Sequence, residues 1–351
     1  MLEVIHAMYP EAPVYTSILR PEALPSAYRD WDIRPSFLNR VPGANRRHQW
    51  LLPFYPYAVE HMDLSGYDLV LSVSSAFAHG VTTRRSAVHI CYCLTPARFL
   101  WDYDTYVARE DLGRAARWLL PWLISRLRIW DRQAAQRVHS FVAISAVVQA
   151  RIRRCYERDA DIIYPPTDVQ RCRLSHDRGE YFLIISRLVP YKRIDIAVQA
   201  FNQLGLPLVI IGDGRDRPAL EALARPNVRF LGRLTDQDAG RYLTECRAFV
   251  FPGEEDFGIA PLEAQAAGRP VIAYAAGGAL ETITDGVNGA FFNEQTPASL
   301  AAAVQRFGRT RFDPLAIRQS ALRFDRTVFE RRLAEFIRAK FEESTVRRLS
   351  D

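Results

Sequence analysis

Two glutamates, Glu255 and Glu263, stand with seven residues between them in the stretch FPGEEDFGIAPLEAQAAGRPVIAY, residues 251–274. Phe251 and Pro252 close a strand pattern, and residues 258–267 read as a helix stopped by Gly268 and Pro270. Glu255 therefore falls in the loop before the helix, and Glu263 lies past its first turn. Free backbone N–H groups near Gly258 and Ile259 would form an anion site at the helix start. Gly258 has no side chain to keep a ligand from the backbone. Carboxylates do not bind a phosphate, but they accept hydrogen bonds from hydroxyls on either side of it. One would hold a ribose and the other a hexose, as in a nucleoside diphosphate sugar. The plainer reading is that both glutamates cap helices or pair with arginines.

A second cluster lies in IISRLVPYKRID, residues 184–195. A strand ends at Ser186, and a helix is expected from about Pro190, a residue favoured at helix starts. Arg187 sits at the strand's carboxyl end. Lys192 falls in the first helical turn, where a cation opposes the helix dipole. The chain has only one other lysine, Lys340, so a lysine here points to an anionic ligand. A surface ion pair with Asp195 is the alternative. In IIGDGRDRPALEAL, residues 210–223, Gly212 and Gly214 mark a strand-to-helix turn. Such a turn serves either a ligand or a tight connection.

These residues need a scaffold that presents strand ends together. In the second half, apolar runs at 181–186, 208–212, 228–232, 248–252 and 270–274 each precede a helical pattern. The first half has strand candidates at 13–18, 68–73, 88–93, 140–145 and 161–166, with a long helix over 114–136. Uniformly apolar strands alternating with helices predict parallel sheets covered on both faces. The expected fold is α/β, with two Rossmann-like doubly wound domains facing across a cleft. Ligands in such folds sit at the strands' carboxyl ends. The expected domains are 1–168 and 177–325, with a helix over 326–345 packing back towards the first. Residues 2–9, LEVIHAMY, already read as a helix with no strand ahead of them. A gap or open edge is therefore expected in the first sheet.

Composition sets outer limits. The chain has 351 residues, is 48% hydrophobic and carries a formal charge of +6. That suits one or two globular domains. No basic block is interleaved with aromatics, which argues against nucleic acid. The five cysteines are scattered and read as buried free thiols, with no metal set expected. The sequence shows no secretory signal and no run of 18 apolar residues, so a reduced cytoplasmic setting is expected.

At this point the chain resembles family-4 glycosyltransferases of GT-B fold, close to the WbaZ-like mannosyltransferase group of bacterial polysaccharide synthesis. The resemblance rests on the Glu-x7-Glu spacing of Glu255 and Glu263, on SRLVPYKRID, and on NVRFLGRLTD, GGALETI and CYCLTPARFLWD. It implies that Arg187, Lys192 and Glu255 carry the chemistry. Arg187 and Lys192 would hold the donor diphosphate, Glu263 the ribose and Glu255 the transferred sugar. Gly212, Gly214, Leu234, Phe257, Gly258 and Ile259 would complete the donor site, with backbone near Leu234 bordering the base. Arg98, Trp101 and Asp102 would meet the acceptor. The implied reaction is retaining transfer of a hexose, mannose favoured and GDP-mannose the donor, with no metal and no cofactor. Relatives begin with a strand and a Gly-Gly loop that have no counterpart here, so an upstream strand and Gly-rich turn are expected. The chain has Leu94-Thr95-Pro96 where many relatives have His-Thr-Pro, so that histidine contact does not carry over, and His79 and His89 are not expected to replace it.

The acceptor is expected to be polyprenyl-diphosphate-linked or a saccharide. RHQWLLPFYPY (47–57) and RAARWLLPWLISRLRIWDR (114–132) combine arginines with large apolar side chains. They suit either peripheral contact with the inner face of the cell membrane or a core helix with solvated arginines. Two other functions fit less well: a sugar-nucleotide 2-epimerase of GT-B-like fold, and a shortened, non-catalytic nucleotide-sugar-binding protein.

Overall fold

In the computed structural model of the protein, residues 1–44, 48–102, 114–176 and 179–350 are described. Arg47, at the start of one aromatic and basic stretch, lies outside them. The chain divides into two compact units. The first is Met1–Ile163 with Glu330–Asp351, and the second is Tyr164–Phe329.

The first unit opens with the helix Leu2–Met8. Its strands are β1 (Val14–Thr16), β2 (Ile33–Pro35), β3 (Leu69–Ser74), β4 (Val88–Cys93), β5 (Ser140–Ala143) and β6 (Ala160–Ile162). They form two separate parallel sheets, β1–β2 and β3–β4–β5–β6. Every residue of β4 is buried, as a central parallel strand requires. The helix Arg114–Gln136 runs unbroken through Pro121. Ser125 Oγ donates to the Pro121 carbonyl at 2.9 Å. Strand β2 was not foreseen. It is short, ends in proline and is largely exposed, so it lacks the apolar run that marks a strand. Of the five free cysteines, four are buried; Cys172 is partly exposed, contrary to expectation.

The second unit contains β7 (Phe182–Ile185), β8 (Leu208–Ile211), β9 (Val228–Gly232), β10 (Ala248–Phe251), β11 (Val271–Tyr274) and β12 (Gly289–Phe292). All pair in parallel, in the order β12–β11–β10–β7–β8–β9. Alternation along β7 sends Phe182 and Ile184 into one apolar layer and Leu183 and Ile185 into the other. Helices on both faces make the sheet a buried middle layer. Strand β12 went unread because GAFF is brief and begins with glycine. From β7 the chain winds outward through β8 and β9, then returns to add β10, β11 and β12 on the other side. The winding reverses between β7 and β10, and in sheets of this kind ligands bind at that reversal.

Candidate active site

Strands β7 and β10 pair directly, Ala248 with Phe182 and Phe249 with Leu183. Their carboxyl-end loops are therefore neighbours, and these loops carry Arg187, Lys192 and Glu255.

After β7 the chain forms a 3-10 turn, Pro190–Lys192, before the helix Ile194–Leu204 begins. Arg193 between them is left-handed, at φ 52°. Lys192 thus precedes the helix by a turn of its own and does not sit in the helix's first turn, as its sequence position predicts. Asp195 pairs with Arg193 at 3.2 Å, and Lys192 Nζ pairs instead with Glu255 Oε1. The Lys192 and Glu255 side chains are 13% and 21% exposed, so the pair is shielded yet reachable. Gly253 allows this approach, since a β-carbon there would lie 2.9 Å from the Lys192 carbonyl oxygen. Exposed Arg187 donates through Nη2 to the Tyr191 hydroxyl at 2.8 Å. Lys192 Nζ lies 5.3 Å from the centre of the Tyr191 ring. Tyr191 thus touches both cations. The sequence reading missed it, although YK within SRLVPYKRID places it beside Lys192.

The loop after β10 is held from behind. The Glu255 carbonyl accepts the Gly278 N–H at 2.9 Å. Gly277 has φ 62°, and a β-carbon there would collide with that same carbonyl. Phe257 is buried, stacked on Tyr164 at 5.5 Å and edge-on to Phe324 at 5.7 Å. Its ring therefore anchors the loop. Gly258, at φ 92°, precedes the helix Ile259–Ala266. No side chain caps this helix start and no acid lies in its first turn. Its N–H groups and positive dipole end stay available to an anion. Ile259 is exposed at the first helical position.

Glu263 is the fifth residue of that helix and has a different environment from Glu255. Burial raises its pKa above the ordinary carboxylate value, and Asp236 adds to the shift. Burial, helped by Glu263, also pushes the Cys172 thiol up to about 11. At the helix's far end, Arg318 donates to the Ala266 carbonyl at 2.5 Å, a cation on the negative dipole end. Leu234 packs, partly buried, against the core layer beneath.

Gly212 and Gly214 support the Arg187 loop. A β-carbon at either would overlap the carbonyl of Ser186 or of Leu188. Leu188 N–H donates to the Asp213 carbonyl at 3.0 Å. Close backbone packing thus accounts for both glycines.

Arg98, Trp101 and Asp102 belong to the first unit. Trp101 Nε1 donates to Asp131 Oδ2 at 2.7 Å, and Asp102 pairs with Arg154 at 3.2 Å. Asp131 is fully buried, with His79 Nε2 3.3 Å from its other oxygen. His89 is buried as well, and burial lowers its pKa to about 3. Neither histidine is exposed to a substrate.

Residues 169–321 match the family model described as glycosyl transferases group 1. The chain is 29% identical over 238 residues to a GDP-mannose-dependent alpha-mannosyltransferase of Mycobacterium tuberculosis, covering 65% of this chain and 62% of that one. It is 42% identical over 115 residues to a GDP-mannose-dependent monoacylated alpha-(1-6)-phosphatidylinositol monomannoside mannosyltransferase of Corynebacterium glutamicum, covering 28% and 30%. The chain spans about half the length of the curated relatives it matches. Among solved structures, sucrose-phosphate synthase from Thermosynechococcus elongatus matches with a TM-score of 0.70 at 18% identity, over 89% of this chain and 84% of that one. The fold is GT-B, built of two Rossmann-like parallel-sheet units.

Proposed function

We propose that the chain is a family-4 glycosyltransferase that moves a hexose, mannose favoured, from a nucleoside diphosphate sugar to a lipid-linked or saccharide acceptor with retention of configuration. The observation that carries this reading is the Lys192–Glu255 pair, with Arg187 beside it, where the strand order reverses. Such a pair is a preformed anion site with its counter-charge in place. The donor diphosphate displaces Glu255 from Lys192 and takes both cations. The released carboxylate then accepts hydrogen bonds from hydroxyls of the transferred sugar. As the glycosidic bond breaks, negative charge grows on the leaving diphosphate. Lys192, Arg187 and the N–H groups at Ile259 meet that charge in fixed positions, which favours the transition state over the bound donor. These chain-borne charges fill the role a metal would otherwise take. Glu263 holds the ribose, with Leu234 beside the base.

GDP-mannose is the favoured donor because two mannosyltransferases named for it align with the chain. The lipid-linked acceptor and peripheral membrane contact draw support from the first unit. Trp50, Phe54, Tyr57, Trp122 and Ile129 are exposed there, and the Arg126 guanidinium lies 5.4 Å from the Trp122 ring. Among the described residues, no helix is long and apolar enough to cross a membrane. Thermal-shift screening of nucleoside diphosphate sugars tests the donor. The true donor at 100 times its Kd should add about 2.7 kcal/mol of stability. A sugar nucleotide altered without any acceptor would favour epimerisation instead.

A further inference from the structure

We infer that Arg193 and Gln295 are positioning residues that hold Lys192 opposite Glu255, by closing a ring of contacts across the loops after β7, β10 and β12. What the held pair serves rests on the transferase reading, whereas the ring belongs to the ligand-free chain.

Arg193 suits its position poorly on local grounds. Among the described residues, the non-glycine residues with positive φ are Glu157, at 54°, and Arg193, at 52°. Glu157 ends the helix Ala146–Tyr156, a place where left-handed geometry is common. Arg193 instead precedes the helix Ile194–Leu204. Glycine would adopt the same backbone there without strain, and a cation opposes the dipole. The Arg193 side chain caps no N–H of that helix. Strain of this kind persists only where the surroundings over-determine it, and it gathers at functional sites. The left-handed residue closes the Pro190–Lys192 turn and so sets Lys192 ahead of the helix.

The contacts of the side chain supply the reason for arginine. Its Nε and Nη2 donate to the two carboxylate oxygens of Asp195, each at 3.2 Å. This fork offsets the charge and aims the guanidinium. Nη1 donates to Gln295 Oε1 at 3.5 Å, in the loop after β12. Gln295 Nε2 donates in turn to the Pro252 carbonyl at 3.3 Å, at the end of β10. Gly253 follows, and its missing β-carbon is what lets the Lys192 backbone pack against it. The ring thus runs from Arg193 through Gln295, Pro252 and Gly253 to Lys192, which adjoins Arg193. A carboxamide fits this link because one end accepts from the guanidinium and the other donates to the carbonyl. Glutamate would present the Pro252 carbonyl with a second acceptor. Just beyond Gln295, Thr296 caps the helix Pro297–Phe307 through the Ser299 N–H at 3.2 Å, which anchors the loop. With both loops tied, an arriving anion exchanges side-chain partners and leaves the loop backbones in place.

Lys192 and Lys340 are the only lysines in the chain, so amine labelling reads Lys192 against a built-in reference. The test is competitive acetylation of the ligand-free full chain with acetic anhydride, read by peptide mass spectrometry as the ratio of Lys192 to Lys340. Arg193→Gly, which suits the left-handed backbone, and Gln295→Ala should each raise the ratio about fivefold, the scale for one lost hydrogen bond. Gln295→Glu should raise it as well, although it keeps the contact with Arg193. The double variant Arg193→Gly with Gln295→Ala should rise no further than either single variant, because both open the same ring. Circular dichroism confirms that each variant is folded. Saturating GDP should lower the wild-type ratio. If GDP has no effect while the variants still raise theirs, the ring stands and the donor reading fails. The inference is overturned if the ratio keeps its wild-type value in both folded single variants, or if their effects multiply in the double variant.

Discussion

Lys192 and Glu255 form an ion pair that bridges the two loops where the winding of the second sheet reverses. They come from different strand ends, 63 positions apart in the chain (255 − 192). Each neutralises the other, and under the proposed function an incoming diphosphate takes the place of Glu255. Lys192→Ala should therefore weaken nucleoside diphosphate binding and lower sugar transfer by roughly 10²-fold, the scale for one preorganised charge-stabilising group. Arg187→Ala should do the same. Lys192→Arg should restore only part, because a fork-shaped guanidinium does not replace a compact ammonium. Steady-state kinetics and calorimetric titration measure both effects, and wild-type turnover in either alanine variant refutes the assignment.

Glu263 gives a pH signature. Its folded pKa is raised, chiefly by burial, so the native state holds a proton that the unfolded chain has already released. Stability from this group is complete at low pH and falls as pH rises from the ordinary glutamate value of 4.5 through the raised folded value. Glu263→Gln should remove that fall and make the ligand-free protein more stable at neutral pH, while weakening nucleotide binding. Urea denaturation from about pH 4 to about pH 8 reads the first effect. An unchanged pH slope in the variant contradicts it.

The second unit was more legible in sequence than the first. Five of its six strands are largely apolar and punctuated by Gly, Pro or Asp, so each of those runs marked a strand; β12, brief and opened by glycine, did not. Arg187, Lys192 and Glu255 could be placed at strand ends for the same reason. Their pairing could not be read, because it depends on β10 lying beside β7, which is a matter of topology. Asp195, near in sequence, was the natural partner for Lys192. Only the left-handed Arg193 swings Asp195 away to pair with Arg193 itself. The burial of Phe257 was hidden likewise, since Tyr164 and Phe324 are remote in sequence.

In the first unit, Asp131 links His79 and Trp101. Asp131→Ala should cost about 3–5 kcal/mol, as removal of one partner leaves buried polar groups uncompensated. Trp101→Phe should cost less, because it removes one hydrogen bond and little volume. Chemical denaturation followed by tryptophan fluorescence compares the two. A loss below about 1 kcal/mol for Asp131→Ala shows that the cluster contributes little.

Gly277→Ala should act at a distance from any ligand. Its φ of 62° and its closeness to the Glu255 carbonyl leave no room for a methyl group. The left-handed geometry alone costs about 1–3 kcal/mol. The added displacement of the Glu255 loop should weaken donor binding as well. Thermal unfolding and donor titration on the same sample check both, and intact donor affinity would show that the loop does not depend on this support.

The displacement of Glu255 by the donor diphosphate is tested most directly by titrating Glu255→Gln with GDP beside an assay of sugar transfer from GDP-mannose. Removing the carboxylate's charge frees Lys192, so GDP should bind as tightly as in the wild type or more tightly. Transfer should fall by roughly 10²-fold, because the neutral amide cannot replace the carboxylate against the sugar hydroxyls. A loss of GDP affinity as large as the loss of transfer would contradict the account.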